Sequence, residues 1–592
     1  MELIALYIED YNGVLDSFIK LSSKFSIKYD HKSLTIRKGI DRDIYYDDIP
    51  STLLIGQNGT GKTTILTFIE DFHYENENTG FMVWHSNDKI YVTCKGIQPS
   101  HISTHYSTKI IYNAVDFFTE NDIFTIKSNN TVDFNSYLFG SRKGTAKNFI
   151  DISLSNTGRG KSNKKQEIAK IAKFINAGRS LPDTINQDKI SILARLSLSG
   201  AERTKAILKD SDFRNKYGDM LISLFNHYYG KYNNTPTPYG YPSKEYQFIK
   251  YNDFMSYTNF KNNNWGLTFF SFIFSKLSSD RELAHSVSDV IFFTLTSILY
   301  SFSKKLTSDK HNADFLYLKF VVALFFSNDR NYINEIEFTI KDHALVADED
   351  KVIKELIKLK KDVNLVQEII YKLFSSNDKI RTNELELNFY INSPGTAADL
   401  ISMSNALPKE FDALFSIEWN GLSSGEVSLL HLFSSLYNSI DKINSSRNKR
   451  KILLLLDEID LYLHPEWQRK IFSDILDMLN EFNETISFQI LMSSHSPIIA
   501  SDFLPVDIIS LTRGHNREIV TGTLESIGFG ESIEKTMSQG FFLKATVGER
   551  VLKKVEELVK RKNDRSFIND NEYITSLIKN KFLTYILGVK ND

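Results

Sequence analysis

Gly56-Gln57-Asn58-Gly59-Thr60-Gly61-Lys62-Thr63-Thr64 is a glycine-rich run that closes on a lysine and two hydroxyls. It matches G-x-x-x-x-G-K-[ST] in full, and chemistry explains each residue type. Glycines let the backbone wrap tightly, so that the residues from Asn58 through Gly59, Thr60, Gly61, Lys62, Thr63 and Thr64 turn successive N–H groups toward a polyphosphate. A helix beginning there aims its positive end at the same anion. Lys62 adds a full charge toward the β- and γ-phosphates, and the Thr63 hydroxyl is a Mg²⁺ ligand.

A second chemical signal is Ile452-Leu453-Leu454-Leu455-Leu456-Asp457-Glu458, an apolar run that ends in two acids. It reads as a buried central strand that delivers Asp457 at its carboxyl end, beside the phosphate loop. There Asp457 is expected to hold Mg²⁺ through water, and Glu458 to polarise the water that attacks the γ-phosphate. Alone, such an acid pair is an ordinary strand end at a surface; the phosphate loop gives it a chemical meaning.

Between the two lies Gly421-Leu422-Ser423-Ser424-Gly425-Glu426, followed by a helical run through Tyr437. With this segment the chain resembles the ABC ATPase superfamily, whose signature reads L-S-x-G-[EQ]. The resemblance implies ATP as the nucleotide and a homodimer, on which a higher oligomer could be built. In it Ser423, Ser424, Gly425 and Glu426 of one chain face the γ-phosphate held by the other. A hydroxyl, an amide and a helix dipole make a second anion cradle of that kind. The resemblance also places Asp460 in the D-loop and makes His495, in Ser493-Ser494-His495-Ser496-Pro497, the switch histidine at the γ-phosphate. Taken alone, Ser-Ser-Gly is common capping chemistry and a histidine after a strand is usually structural. Tyr112 and Asn113, after the run Lys109–Ile111, are the expected adenine or glutamine-loop residues.

The elements that must position these groups follow from periodicity. Short apolar runs at Leu3–Ile8, Phe25–Tyr29, Ser33–Ile36 and Thr52–Ile55 predict strands, as do Leu385–Ile391, Leu414–Trp419, Ile490–Met492 and Ile508–Leu511. Strands alternating with helices predict an α/β fold: an ABC-type ATPase head with a mixed or parallel sheet and flanking helices. The expected organisation is 1–120 as the N-terminal part of the head and 121–384 as a large, mostly helical insertion. Segment 385–515 completes the head with the signature, the acid pair and the switch histidine, and 516–592 is a helical extension. Inside the insertion, Val352, Leu356, Leu359, Val363, Val366, Ile370 and Leu373 alternate in steps of four and three. That is a coiled-coil seam over 352–373, one arm of a helical hairpin, or equally an amphipathic helix on the domain surface.

Composition narrows the class. The 71 Lys plus Arg nearly balance 73 Asp plus Glu, so any nucleic-acid surface must be a local patch. Two clusters qualify: Arg159, Lys161, Lys164, Lys165, Lys170, Lys173 and Arg179, and then Arg447, Lys449, Arg450 and Lys451. Each reads either as a DNA or RNA contact or as a solvated loop. The lone Cys94 excludes an internal disulfide and a Cys-x-x-Cys zinc site, and suits a reducing cytoplasm. The start of the chain reads as a strand and not as a signal peptide. Phe315–Phe326 is too short for a membrane span, which needs roughly 20 apolar residues, and Val287–Ser303 carries Asp289; both are expected as buried helices.

The interval from Thr64 to Leu422 is far longer than a transporter nucleotide-binding domain allows, and too poor in heptads and cysteine for an SMC-type arm. Leu461-Tyr462-Leu463-His464-Pro465-Glu466-Trp467-Gln468, Ser494–Ala500, Met1–Gly13 and Ser538–Phe542 instead resemble the OLD-type and Septu-type ATPases of bacterial anti-phage defence, including a retron-associated branch. Ile459 stands where many OLD-type proteins have proline. The resemblance implies a regulator of a separate HNH-type effector nuclease. OLD nucleases continue into a TOPRIM domain with a strand-borne Asp-x-Asp; no such pair follows Ile508, so no nuclease activity is expected from this chain. The alternative is a stand-alone, SMC/RecF-like ATPase that clamps DNA ends.

Overall fold

Apolar runs without polar alternation have no face to give to water, and they pack as central strands of a parallel sheet. Ser51–Gly56, Arg450–Asp457 and Ile486–Ser493 do so in the computed structural model, with Leu53–Ile55, Ile452–Leu456 and Ile490–Met492 buried. The structure describes residues 1–75, 79–130, 146–154, 161–176, 191–197, 287–326, 349–375, 380–383, 386–391, 393–408, 414–444, 450–522, 527–541 and 548–561. It adds isolated positions between 206 and 223 and at 334, 411, 563 and 574. The fold is α/β, and the chain divides into two compact units: Met1–Ser153 with Lys442–Asp592, and Leu154–Asp441.

The first unit is built on a seven-stranded sheet. Its order is Phe149–Asp151, Ile123–Asn129, Arg450–Asp457, Ile486–Ser493, Ser51–Gly56, Ile508–Arg513 and Ile519–Gly522. Only the last strand runs antiparallel to its neighbour. A five-stranded sheet of Glu2–Tyr11, Val14–Lys20, Thr79–Ser86, Lys89–Lys95 and Ser107–Ile111 belongs to the same unit, as does a small sheet of Phe25–Tyr29, Ser33–Lys38 and His101–Ser103. The helix Lys62–Asp71 shares one core with both larger sheets: Ile65, Leu66, Phe68 and Ile69 pack with Leu3, Leu6, Ile8, Leu453, Leu455 and Leu491. Gln489 ties those sheets together, donating to Leu3 O and accepting from Leu3 N, each at 2.8 Å.

Several strands depart from the expected boundaries. Ile123–Asn129, placed by sequence in the insertion, pairs in parallel with the acid-bearing strand. Glu386–Ile391 and Phe415–Asn420, expected in the parallel sheet, instead pair antiparallel with Ser191–Ser197. Their alternation explains it: Phe415 and Ile417 are buried while Glu418 is exposed, the pattern of a strand with one wet face.

The second unit wraps helices on that antiparallel sheet. Val287–Leu306, Lys310–Phe326, Glu349–Ser375 and Pro394–Asn405 share its core. The four-three seam is the buried face of Glu349–Ser375: Leu359, Val363, Val366, Ile370 and Leu373 pack in the core against Val287–Leu306 and Pro394–Asn405. The two apolar runs weighed as spans are also core helices, and no helix among the described residues is long and apolar enough to cross a membrane.

Candidate functional site

The buried strand Ser51–Gly56 ends in the glycine-rich loop, and the helix Lys62–Asp71 starts immediately after it. Two glycines are obligatory for different reasons. A Cβ on Gly56 would lie 2.5 Å from Leu511 O, and one on Gly61, at φ +104°, would lie 2.5 Å from Ile519 Cδ1. Gly59, also left-handed, has open space around it, and Asn58 beside it is exposed. Arg513 fixes the loop from outside, donating to Gly59 O at 3.3 Å and to Gly13 O. Lys62 is buried and donates through Nζ to Gly56 O at 3.0 Å and Gln57 O at 3.2 Å. Burial pulls its pKa down, while the charges of Glu458 and Asp457 pull it up. Thr60 Oγ1 donates to Gln57 O, closing the loop, and Thr64 follows Thr63 in the first helical turn.

Between the acid strand and the loop strand runs Ile486–Ser493. Its last residue is the hub of the site. Register sets Ser493 opposite Asp457 on one side and Leu54 on the other. Ser493 Oγ donates to Asp457 Oδ1, and Ser493 O accepts from Glu458 N at 3.1 Å. On the far side Asn129, in register with Asp457, donates from Nδ2 to Asp457 Oδ2 at 3.0 Å. Burial raises the Asp457 pKa, and hydrogen bonds from Ser493 and Thr63 partly offset that. The interaction with Thr63 brings the first helical turn and the acid strand together.

Glu458 turns out of the strand in a left-handed conformation, φ +49°, that few non-glycine residues adopt. Its Oε1 lies 3.4 Å from His495 Nε2. The imidazole holds the Glu458 carboxyl below the usual range against the opposing effect of burial, and Lys62 adds to the lowering. A carboxylate that stays ionised beside a buried lysine suits a proton acceptor.

Asp460 is buried, its Oδ1 has no hydrogen-bond partner, and burial pushes its pKa up to about 6 despite a hydrogen bond from Ser494. A folded value above the unfolded 3.8 means that this group costs stability once ionised: the cost is absent below the unfolded pKa and complete above about 6. Asp460→Asn is therefore expected to stabilise the nucleotide-free protein at pH 8, by at most about 3 kcal/mol, with the gain vanishing near pH 4. Denaturant titrations at the two pH values test this; an equal effect at both would refute it.

The signature forms a capping box. Ser423 N donates to Glu426 Oε2 at 2.7 Å, Glu426 N donates to Ser423 Oγ at 3.3 Å, and the helix Ser424–Asn444 follows. Ser423 and Ser424 are exposed and Gly425 is buried. These residues belong to the Leu154–Asp441 unit, while the phosphate loop, acid pair, Asp460 and His495 share the other. Asn113 caps the helix Ala114–Glu120, with both side-chain groups engaged by Asp116, and Tyr112 donates to Gln98. Asn129 was missed: its strand mixes Thr125, Lys127 and Ser128 among apolar residues, and only the Asn129-Asn130 pair marks its end.

Three described residues of the basic clusters, Lys165, Arg450 and Lys451, are engaged by the fold. Lys165 is buried over the Phe415 ring, and Lys170 pairs with Glu167, which also meets His431. Arg450 donates to Ile443 O and lies over the Phe124 ring, and Lys451 donates to Asn121 O at 3.4 Å. Lys173 is exposed. Arg159, Arg179, Arg447, Lys449 and the side chains of Lys161 and Lys164 lie outside the described residues.

Residues 1–500 match the AAA ATPase domain family. A curated relative, Septu protein PtuA of Bacillus thuringiensis, is 26% identical over 170 residues, which is 27% of this chain and 41% of the relative. The chain thus matches less than half the length of that protein.

Proposed function

The chain belongs to the AAA ATPase domain family, and from that premise we propose that it hydrolyses ATP in the site around Lys62, as the nucleotide-driven regulator of a separate nuclease in anti-phage defence. The observation that carries the hydrolytic reading is the convergence of buried Lys62, Asp457 with Thr63, and Glu458 with His495 at the carboxyl ends of adjacent parallel strands. Ligands of α/β sheets bind at that edge.

Roles follow from the geometry. The amides of Asn58 through Thr64 cradle the phosphates, and Lys62 balances charge on the terminal ones. Thr63 and Asp457 offer a hydroxyl and a buried carboxylate, an all-oxygen pair that suits Mg²⁺, which takes one or two protein ligands and fills its sphere with phosphate and water. When bound, the ion would neutralise charge on the β- and γ-phosphates. Glu458 accepts a proton from the attacking water, and His495 donates to the γ-phosphate while keeping Glu458 ionised. Ser423 and Ser424, exposed at a helix start, serve with Gly425 a second copy's nucleotide in a homodimer, with Glu426 capping that helix and Asp460 in the loop between acid pair and helix.

The Septu name of the relative supports the defence setting, and the engagement of Lys165, Arg450 and Lys451 by the fold weighs against a DNA clamp. The test is capture of partners by tagged Glu458→Gln protein, with ATP, from cells carrying the native gene neighbourhood. A nuclease recovered in stoichiometric amount is expected. DNA alone, or nothing, would overturn the regulator reading. Wild-type protein without ATP turnover would overturn the catalytic one.

A further inference from the structure

The His495 loop and the strand end before it are joined to the end of the acid strand and the segment after it at three places. Ser493 Oγ donates to Asp457 Oδ1, Ser494 hydrogen-bonds to the Asp460 carboxyl, and Ser496 Oγ donates to Gln468 Oε1 at 2.7 Å. Gln468 closes this set from the other side. Its Nε2 donates to Leu463 O at 3.1 Å and reaches Asp460 O at 3.5 Å. One amide thus spends its acceptor on the His495 loop and its donors on the backbone of the Asp460 loop. Ser496 Oγ accepts in turn from Ile498 N and Ile499 N, capping the short helix that follows His495.

Gln468 is not needed to hold its own helix. Pro465–Asn480 is anchored by Ile471, Phe472, Ile475, Leu476, Met478 and Leu479, all buried, and Gln468 sits one turn ahead of that apolar face. A side chain in that place could have been apolar. It is instead an amide, whose donor and acceptor ends fit the two loops together. Leucine there would fill similar space and make none of these bonds.

We propose that Gln468 is a positioning residue for hydrolysis: a strut that fixes the His495 loop against the Asp457–Asp460 segment and so keeps the imidazole at Glu458. The inference rests on the ATPase reading above. Its consequence is a split between steps. Phosphate binding depends on the glycine loop and Lys62, which Gln468 does not touch. The hydrolytic step depends on the relative placement of Glu458 and His495, and misplacement by about an ångström costs on the order of a hundredfold in rate.

The test compares wild type, Gln468→Leu, Ser496→Ala, the double variant and Lys62→Ala for ATP turnover, ATP affinity and thermal melting. Gln468→Leu is expected to lower kcat at least about fivefold, with ATP Kd and melting unchanged. Gln468→Glu, which keeps the acceptor for Ser496 and loses the amide donors, should fall between it and wild type. The double variant should be no worse than Gln468→Leu, because the two side chains serve one link. A smaller loss of kcat, a matching loss of ATP affinity or melting temperature, or multiplicative effects in the double variant would overturn the strut. Turnover that requires Lys62 but ignores Gln468 overturns this inference alone. Turnover that is absent, or indifferent to Lys62, overturns the ATPase reading beneath it.

Discussion

Glu458→Gln is expected to lower the steady-state rate of ATP hydrolysis by at least about a hundredfold and to leave ATP binding intact, because general-base assistance is commonly worth ~10²–10⁴. The substitution keeps the shape of the side chain, so the left-handed turn at Glu458 and its backbone bond to Ser493 survive. What disappears is the negative charge that His495 holds ionised and that raises the Lys62 pKa. Removing a negative charge close to the phosphate site favours the triphosphate, so ATP affinity should stay the same or rise. A variant that binds and cannot hydrolyse should accumulate as the closed, ATP-bound dimer. Turnover by coupled assay, with molecular mass in the presence and absence of ATP, measures both effects. Wild-type turnover in this variant would remove Glu458 from the chemistry. Normal loss of turnover with a monomer under all conditions would keep Glu458 and remove the dimer.

The parts of this site that could be read from sequence are those fixed by residue type. A glycine needed because a Cβ would strike Leu511 O, and a lysine that must be a cation, leave their identity in the chain. The parts that could not be read are fixed by pairing between distant segments. Nothing in Ile486–Ser493 says that it lies between the loop strand and the acid strand, yet that order makes Ser493 the residue that bonds to both acids' segment. Asn129 reaches Asp457 only through the register of a strand whose mixed composition hid it. Charge clusters misled in the opposite direction: Lys165 and Arg450 count as basic in sequence and serve as aliphatic and cation–π packing in the fold. Gln468 stood inside a segment chosen for its resemblance, and its spacing from Ser496 carries no signal until both loops are in place.

Lys62→Ala is expected to weaken ATP binding at least about a hundredfold and to abolish turnover with it. A charge-assisted hydrogen bond is worth roughly 1.5–3 kcal/mol, and a lysine at the β- and γ-phosphates makes at least two of them. The environment enlarges the effect. Lys62 is 5% exposed, so little bulk water screens its charge. Asp457 and Glu458 both lie close enough to raise its pKa, so its removal leaves two carboxylates facing an incoming polyanion. Lys62→Arg is expected to fail as well: a planar guanidinium cannot repeat the two Nζ bonds to Gly56 O and Gln57 O at 3.0 and 3.2 Å without shifting the loop. The fold should tolerate the alanine, because burial of the ammonium is already a cost that lowers its pKa. Isothermal titration with ATP, paired with thermal melting, separates the outcomes. Weakened binding in a protein that melts like wild type places the nucleotide at Lys62. Undiminished binding would mean that ATP sits elsewhere, and Glu458 and His495 would then lose the substrate that gives their contact its meaning.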